Sequence, residues 1–346
     1  MKTTAAVLVE TGQPLEIAEL DIPALQPGQV LVELAYSGVC HTQLLECRGY
    51  RGADRFLPHC LGHEASGTIV ETGADVGECR AGDRVILSWI KGRGSDVPGS
   101  VYAWQGRRVN AGGVTTFMTH AVVSENRVTL LDQHVPLRLA WLIGCAGATG
   151  AGAVWNTARV QAGQTLAVFG TGGVGLCAIA AGAIAQASHV IAVDVNPARL
   201  QLAKELGATS VIDAANVNPV EQICDQIPGG LDYAIEASGR PDVMRQALAS
   251  VRARGGKAVV IGNARFGESF EIDPRQLNQG KTLAGTWGGD CVPDRDFPKM
   301  TRLLADGTLP LDKLLGREYS LLEVNAALAD LEDGTVARPV LNLSRT

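Results

Sequence analysis

The chain is predicted to be an α/β protein in which a doubly wound parallel sheet is inserted into a mostly-β domain. Three observations predict this. Short β-type runs broken by glycine and Pro-Gly turns fill roughly the first 145 residues. From Gln161 onward, strand-like runs alternate with helix-like runs. Between them, AVFGTGGVG at 167–175 sets Gly170, Gly172 and Gly175 directly after an apolar run.

In the first part, β-type runs include 5–10, 29–36, 65–71 and 84–87, with turn signals such as Pro27-Gly28 and Ala81-Gly82-Asp83 separating them. This is the pattern of an irregular, barrel-like β domain. In the second part, strands are expected at 165–169, 189–193, 210–212, 233–236 and 257–261, and helices at 176–186, 197–206, 219–226 and 241–250. Pro197 and Pro241 stand where a helix-starting proline is favoured. Alternation of this kind builds a parallel sheet with right-handed crossovers. After Trp287 the pattern becomes mixed again. The outer domain is therefore expected to comprise 1–150 and 288–346, and the inserted domain 151–287.

With 346 residues, 46% hydrophobic and 19% charged, the chain can bury well-developed cores. A net charge of −6 without a basic cluster argues against a nucleic-acid partner. The amino-terminal MKTTAAVLVE turns acidic before any long apolar run, so it does not read as a signal peptide. Residues 166–185 contain only Thr171 as a polar residue, but their glycines divide them into strand, turn and small-residue helix, so no membrane span is expected. Eight scattered cysteines without a secretion signal favour free thiols, metal ligands and a cytoplasmic setting.

Gly170, Gly172 and Gly175 form G-x-G-x-x-G between a strand and a helix, and a second strand ends at Asp194. This is the layout of a Rossmann dinucleotide fold. Gly170 permits the tight turn, Gly172 lets backbone approach a pyrophosphate, and Gly175 lets the helix pack on the sheet, with Gly173 and Val174 completing the turn. The helix N-terminus adds N–H donors and partial positive charge. Asp194 can accept from the adenosine ribose hydroxyls and would repel a 2′-phosphate, which favours NAD over NADP. Arg199 lies near the same ribose and pulls the other way. Without its flanks, the glycine motif reads equally as a tight turn with no ligand.

Cys40-His41-Thr42, Gly62-His63-Glu64 and Cys145 are candidates for a metal site. Two thiolates and an imidazole suit a catalytic zinc with one position left open. Taken singly, each is more often structural, a lone cysteine in an Ala/Gly run being usually a small buried hydrophobe.

Gly38-Val39-Cys40-His41-Thr42, Gly62-His63-Glu64-Ala65-Ser66-Gly67, Gly144-Cys145 with Thr149-Gly150, and the 170–175 turn with Asp194 together resemble the zinc-dependent medium-chain alcohol dehydrogenases. The resemblance covers essentially the whole chain in order. Cys40-His41-Thr42 and Gly285-Thr286-Trp287-Gly288-Gly289 place it nearest the class III branch, the glutathione-dependent formaldehyde dehydrogenases. It implies a GroES-like catalytic domain, one catalytic zinc on Cys40, His63 and Cys145, and Glu64 as an alternate ligand. It also implies Thr42 as the residue that holds the substrate hydroxyl and passes its proton. His41 and Arg338 would contact the cofactor pyrophosphate, Thr149 would support the nicotinamide, and Trp89 would wall the substrate pocket. The implied activity is NAD-linked oxidation of an alcohol to an aldehyde or ketone. The alternatives in the same superfamily are a zinc-free NAD(P)H reductase and a lyase or epimerase using NAD internally. A homodimer is the default, with strand 282–287 pairing across a two-fold axis, and a tetramer the alternative.

Three departures stand out. No cysteine occurs in 90–116, where relatives hold a structural zinc, so no second zinc is expected and packing must hold that lobe. Gln43 replaces the aspartate that usually orients the ligand histidine, and Leu45 replaces a relay histidine.

Overall fold

The computed structural model describes residues 1–345, which form two compact units. The first comprises Met1–Cys145, Val292–Asp306 and Leu315 onward; the second comprises Ala146–Cys291 and Gly307–Leu314.

In the first unit, strands Lys2–Leu8, Glu16–Asp21, Val101–Trp104, Arg107–Asn110 and His59–Cys60 close a small barrel. A second sheet is centred on Gln29–Gly38, which pairs antiparallel with Glu64–Thr72, His120–Ser124 and Val340–Asn342. Alternating apolar residues of these strands (Val30, Val32, Leu34, Ile69) bury one continuous core with Ala5, Val7, Leu20 and Phe117. The cysteine-free stretch is held by packing and hydrogen bonds. Val109 and Tyr102 are buried, the Tyr102 hydroxyl accepts from Val122 N–H (2.8 Å), and the Glu125 carboxylate accepts from the N–H groups of Gly77, Glu78 and Ser95.

The second unit is a six-stranded, all-parallel sheet in the order Ser210–Asp213, His189–Asp194, Thr165–Phe169, Tyr233–Glu236, Lys257–Val260, Thr282–Gly285. By chain position this is 3-2-1-4-5-6, the dinucleotide-binding order. Helices Pro197–Glu205 and Pro219–Gln226 begin with proline after asparagine caps. Asn196 Oδ1 accepts from Ala198 and Arg199 N–H, and Asn218 Oδ1 from Val220 N–H.

Several expectations need correction. Strands Glu16–Asp21, Val101–Trp104, Arg107–Asn110 and His120–Ser124 add to the runs read from the sequence: the first pairs with Lys2–Leu8, the next two form a hairpin with each other, and His120–Ser124 pairs with the distant strand Gln29–Gly38. The helix after the glycine turn begins at Gly173, not residue 176, because close packing on the sheet overrides the low helix propensity of glycine. The expected boundary at 150 cuts helix Ala146–Gly152, which the second unit carries whole. Gly307–Leu314 also packs there rather than with the outer domain. The apolar stretch 166–185 resolves into a strand and a 12-residue helix. No single helix among the described residues is long and apolar enough to cross a membrane.

Candidate metal centre and nucleotide motif

Strand register brings the metal candidates together. Ser37 pairs with Ala65, so Cys40, just beyond the first strand, and His63, just before the second, emerge at the same end. Glu64 pairs with Ser88, whose hydroxyl donates to the Gly144 carbonyl (2.6 Å) and anchors the turn that presents Cys145. Gly62 has φ +90°, and a Cβ there would press on Phe117 and Thr116. Only glycine fits this turn before His63.

The donor atoms of Cys40, His63, Glu64 and Cys145 lie within 4.8 Å of one another, the only such cluster of three or more among the described residues. His63 Nε2 is 3.2 Å from Cys145 Sγ. The hydrogen bond with Cys145 is the largest influence on the Cys40 thiol. It holds the thiol well below its ordinary range against the opposing effect of burial, with help from His63 and the Arg338 charge. Soft thiolates and an imidazole, already gathered on a buried face, fit a zinc ion. Thr42 Oγ1 lies 3.9 Å from Cys40 Sγ, half-buried at the start of helix His41–Cys47, while His41 is exposed.

Glu64 is fully buried and its Oε1 is in ionic contact with Arg338 Nη2; the arginine is 3% exposed and lies over the Trp141 ring. Glu64 Oε2 and Arg338 Nε have no hydrogen-bond partner. A Cβ on Gly38 would collide with the Trp141 ring and stand 2.6 Å from Glu64 Oε1, so this glycine makes room for the pair. Arg338, expected at a pyrophosphate, is thus engaged with Glu64. Sequence reading missed this pairing, since 274 positions separate the partners.

A cavity of about 490 Å³ reaches His63 and Gln43 and is also lined by Glu46, Asp54, Phe56 and His59. Trp89, expected in the pocket wall, is not among its lining residues. His59 pairs with Asp54 (2.8 Å).

In the second unit, Gly170 has φ +90°, and a Cβ at Gly175 would collide with the Gly170 carbonyl oxygen, so both glycines are demanded by the protein itself. Gly172 differs: its φ is −71°, it caps the helix without a side-chain hydrogen bond, and a Cβ there would meet nothing within 4 Å. Open space above a helix N-terminus fits a phosphate group. Asp194 is 9% exposed. Its Oδ2 accepts from Thr171 N–H (2.6 Å) and the Thr171 hydroxyl (2.8 Å), and its Oδ1 from the N–H groups of Val195 and Asn196. The Arg199 Nε is buried without a partner, and Thr149 sits half-buried in helix Ala146–Gly152.

Residues 26–133 match the family model of the alcohol dehydrogenase GroES-like domain, and 173–306 that of the zinc-binding dehydrogenases. The S-(hydroxymethyl)glutathione dehydrogenase of Synechocystis is 33% identical, covering 99% of this chain and 100% of the relative. The chain belongs to the zinc-dependent medium-chain alcohol dehydrogenases. Its structural neighbours agree. An alcohol dehydrogenase zinc-binding domain protein from Burkholderia ambifaria superposes with a TM-score of 0.92 at 33% identity, and benzyl alcohol dehydrogenase from Acinetobacter calcoaceticus with 0.90 at 31%; each comparison covers 99% of both chains.

Proposed function

We propose that this alcohol dehydrogenase carries one catalytic zinc on Cys40, His63 and Cys145 and uses NAD to oxidise an uncharged alcohol to an aldehyde or ketone. The convergence of two thiols and an imidazole within 4.8 Å supports this reading most strongly. When bound, the ion supplies Lewis acidity that makes an alcohol hydroxyl more acidic, and NAD supplies the hydride acceptor. The chain's own residues do the rest. Cys40, His63 and Cys145 hold the ion, and Glu64 is the reserve carboxylate beside them. The Thr42 hydroxyl holds the substrate O–H and passes its proton outward. Leu45 offers no relay beyond it, so water or the ribose hydroxyls complete the exit.

On the nucleotide unit, the Gly172–Gly173 backbone and the following helix N-terminus take the pyrophosphate, with Gly170 and Gly175 shaping the turn and Val174 continuing it. Asp194 would hold the adenosine ribose, its carboxylate accepting from the ribose hydroxyls. Arg199 lies beside it, His41 and Arg338 serve the pyrophosphate, and Thr149 supports the nicotinamide. Arg338 becomes available when Glu64 releases it. Trp89 completes the substrate pocket from outside the cavity seen beside His63.

The relatives named for S-(hydroxymethyl)glutathione raise the question of a thiol adduct. Glu46 and Asp54 line the cavity beside His63, and no lysine or arginine does. This supports a neutral alcohol over an adduct bearing two carboxylates. The outer β domain, in this reading, is the catalytic one and the parallel sheet the cofactor domain. The exposed edge strand Thr282–Gly285, beside Trp287 at 76% exposure, suits a two-fold dimer contact, and the cytoplasm suits its free thiols.

A panel of alcohols read by NADH absorbance, with zinc measured on the same sample, tests the proposal. Cys40→Ser should abolish zinc uptake and turnover while NAD binding persists; full zinc and full turnover in that variant would refute it.

A further inference from the structure

Gln43 is 1% exposed, and its amide faces two groups at once. Oε1 accepts from Cys40 N–H at 3.1 Å, and Nε2 stands 2.5 Å from His63 Nδ1. A backbone N–H can only donate, so it holds Oε1 on its own side and leaves the amide nitrogen for His63. An amide nitrogen also only donates. Nδ1 must therefore accept, which puts the imidazole proton on Nε2, the nitrogen that faces Cys145 Sγ at 3.2 Å.

This is the reverse of what ligation requires. A ligating imidazole nitrogen is unprotonated, and the other nitrogen carries the proton and donates it to an acceptor. The amide has its one acceptor atom at one end, and a metal-loaded site presents a donor at each end: Cys40 N–H beside Oε1 and His63 Nδ1–H beside Nε2. Turning the amide over serves His63 but sets the amide NH₂ against Cys40 N–H. A carboxylate at the same place would have an oxygen for each donor.

We propose that Gln43 is a positioning residue that holds His63 in the tautomer opposed to metal binding, so that loading the site inverts the amide and leaves one buried donor unpaired. Zinc is held more weakly than the ligand set alone would allow, and its uptake is tied to a proton moving from Nε2 to Nδ1. The proposal rests on the reading that His63 ligates through Nε2.

The test uses the full chain. Zinc affinity is measured by chelator competition for the wild type and Gln43→Glu, and the His63 tautomer is read from imidazole ¹⁵N spectra of zinc-free and zinc-loaded wild type. Gln43→Glu should bind zinc about 10- to 100-fold more tightly. The zinc-free wild type should carry the His63 proton on Nε2 and the loaded form on Nδ1. The substitution also adds a negative charge that tightens zinc by itself, so the tautomer decides. A proton on Nδ1 in the zinc-free wild type overturns the proposal whatever the affinities, and so does an affinity for Gln43→Glu no tighter than wild type. Should the variant fail to fold, the wild-type spectra still decide. A wild type that takes up no zinc at all defeats the metal reading first, a distinguishable failure that removes the proposal with it.

Discussion

Gly172→Ala separates a glycine kept for the ligand from one kept for the fold. At φ −71° alanine is unstrained, and its methyl group would meet no protein atom within 4 Å. Alanine is a poorer helix N-cap than glycine, so folding stability should fall by about 1 kcal/mol or less, with no clash to add to it. Cofactor binding should respond differently. A methyl group at this position occupies the space above the helix N-terminus and pushes a pyrophosphate off its N–H donors. Charge-assisted hydrogen bonds contribute about 1.5–3 kcal/mol each. Losing one weakens NAD by roughly 10- to 150-fold, at 1.4 kcal/mol per decade. Gly175→Ala is the control: its methyl group would run into the Gly170 carbonyl oxygen, a backbone atom with nowhere to go. It should destabilise the nucleotide unit by 1–3 kcal/mol, about the usual range for overpacking, or more. Titration calorimetry with NAD and urea unfolding of both variants give the two readouts. If Gly172→Ala binds NAD within about twofold of wild type, the pyrophosphate does not lie there and the motif assignment is wrong. If it unfolds instead, the glycine is structural and the space argument fails.

Two further outcomes follow from buried groups. Arg338→Met leaves the Glu64 carboxylate buried without its counter-ion and should cost about 3–5 kcal/mol in urea unfolding; a loss under about 1 kcal/mol would class the pair with exposed ones. Burial pushes the thiols of Cys47, Cys60 and Cys177 up to about 12, against roughly 8.5 in an unfolded chain. The folded chain keeps these protons where the unfolded chain has lost them. Stability is thus intact below about pH 8.5 and falls toward pH 12, by about 1.4 kcal/mol per pH unit for each thiol. Unfolding free energies measured across that range check this, and a flat profile would contradict it.

What could be read ahead of the structure was whatever neighbours along the chain decide. The glycine turn was legible because Gly170, Gly172 and Gly175 answer to the geometry of one strand–turn–helix. Helices Pro219–Gln226 and Pro241–Ser250 begin and end where their prolines and apolar spacing predict. The three metal candidates were legible as residue types, but separately each was an ordinary cysteine or histidine. Their convergence came from the Ser37–Ala65 and Glu64–Ser88 registers, which no local pattern encodes. The Glu64–Arg338 pair was invisible for the same reason, and so was the room that Gly38 leaves for it. Gln43 carried a signal, its place where relatives hold the aspartate that orients the ligand histidine, but nothing in the sequence says that its amide also takes the Cys40 N–H and so turns its nitrogen to His63.

By itself, then, the sequence determined the class of fold, the phosphate-binding turn and the inventory of candidate ligands, because these depend on interactions within a few residues. The tertiary structure gathered Cys40, His63 and Cys145, which only the resemblance had joined in one set, and it alone decided that Arg338 turns to Glu64, that Asp194 already holds four donors, and that Gln43 faces two groups with a single acceptor. Each of these is a contact between distant segments, set by strand register and by the demand that buried polar atoms find partners.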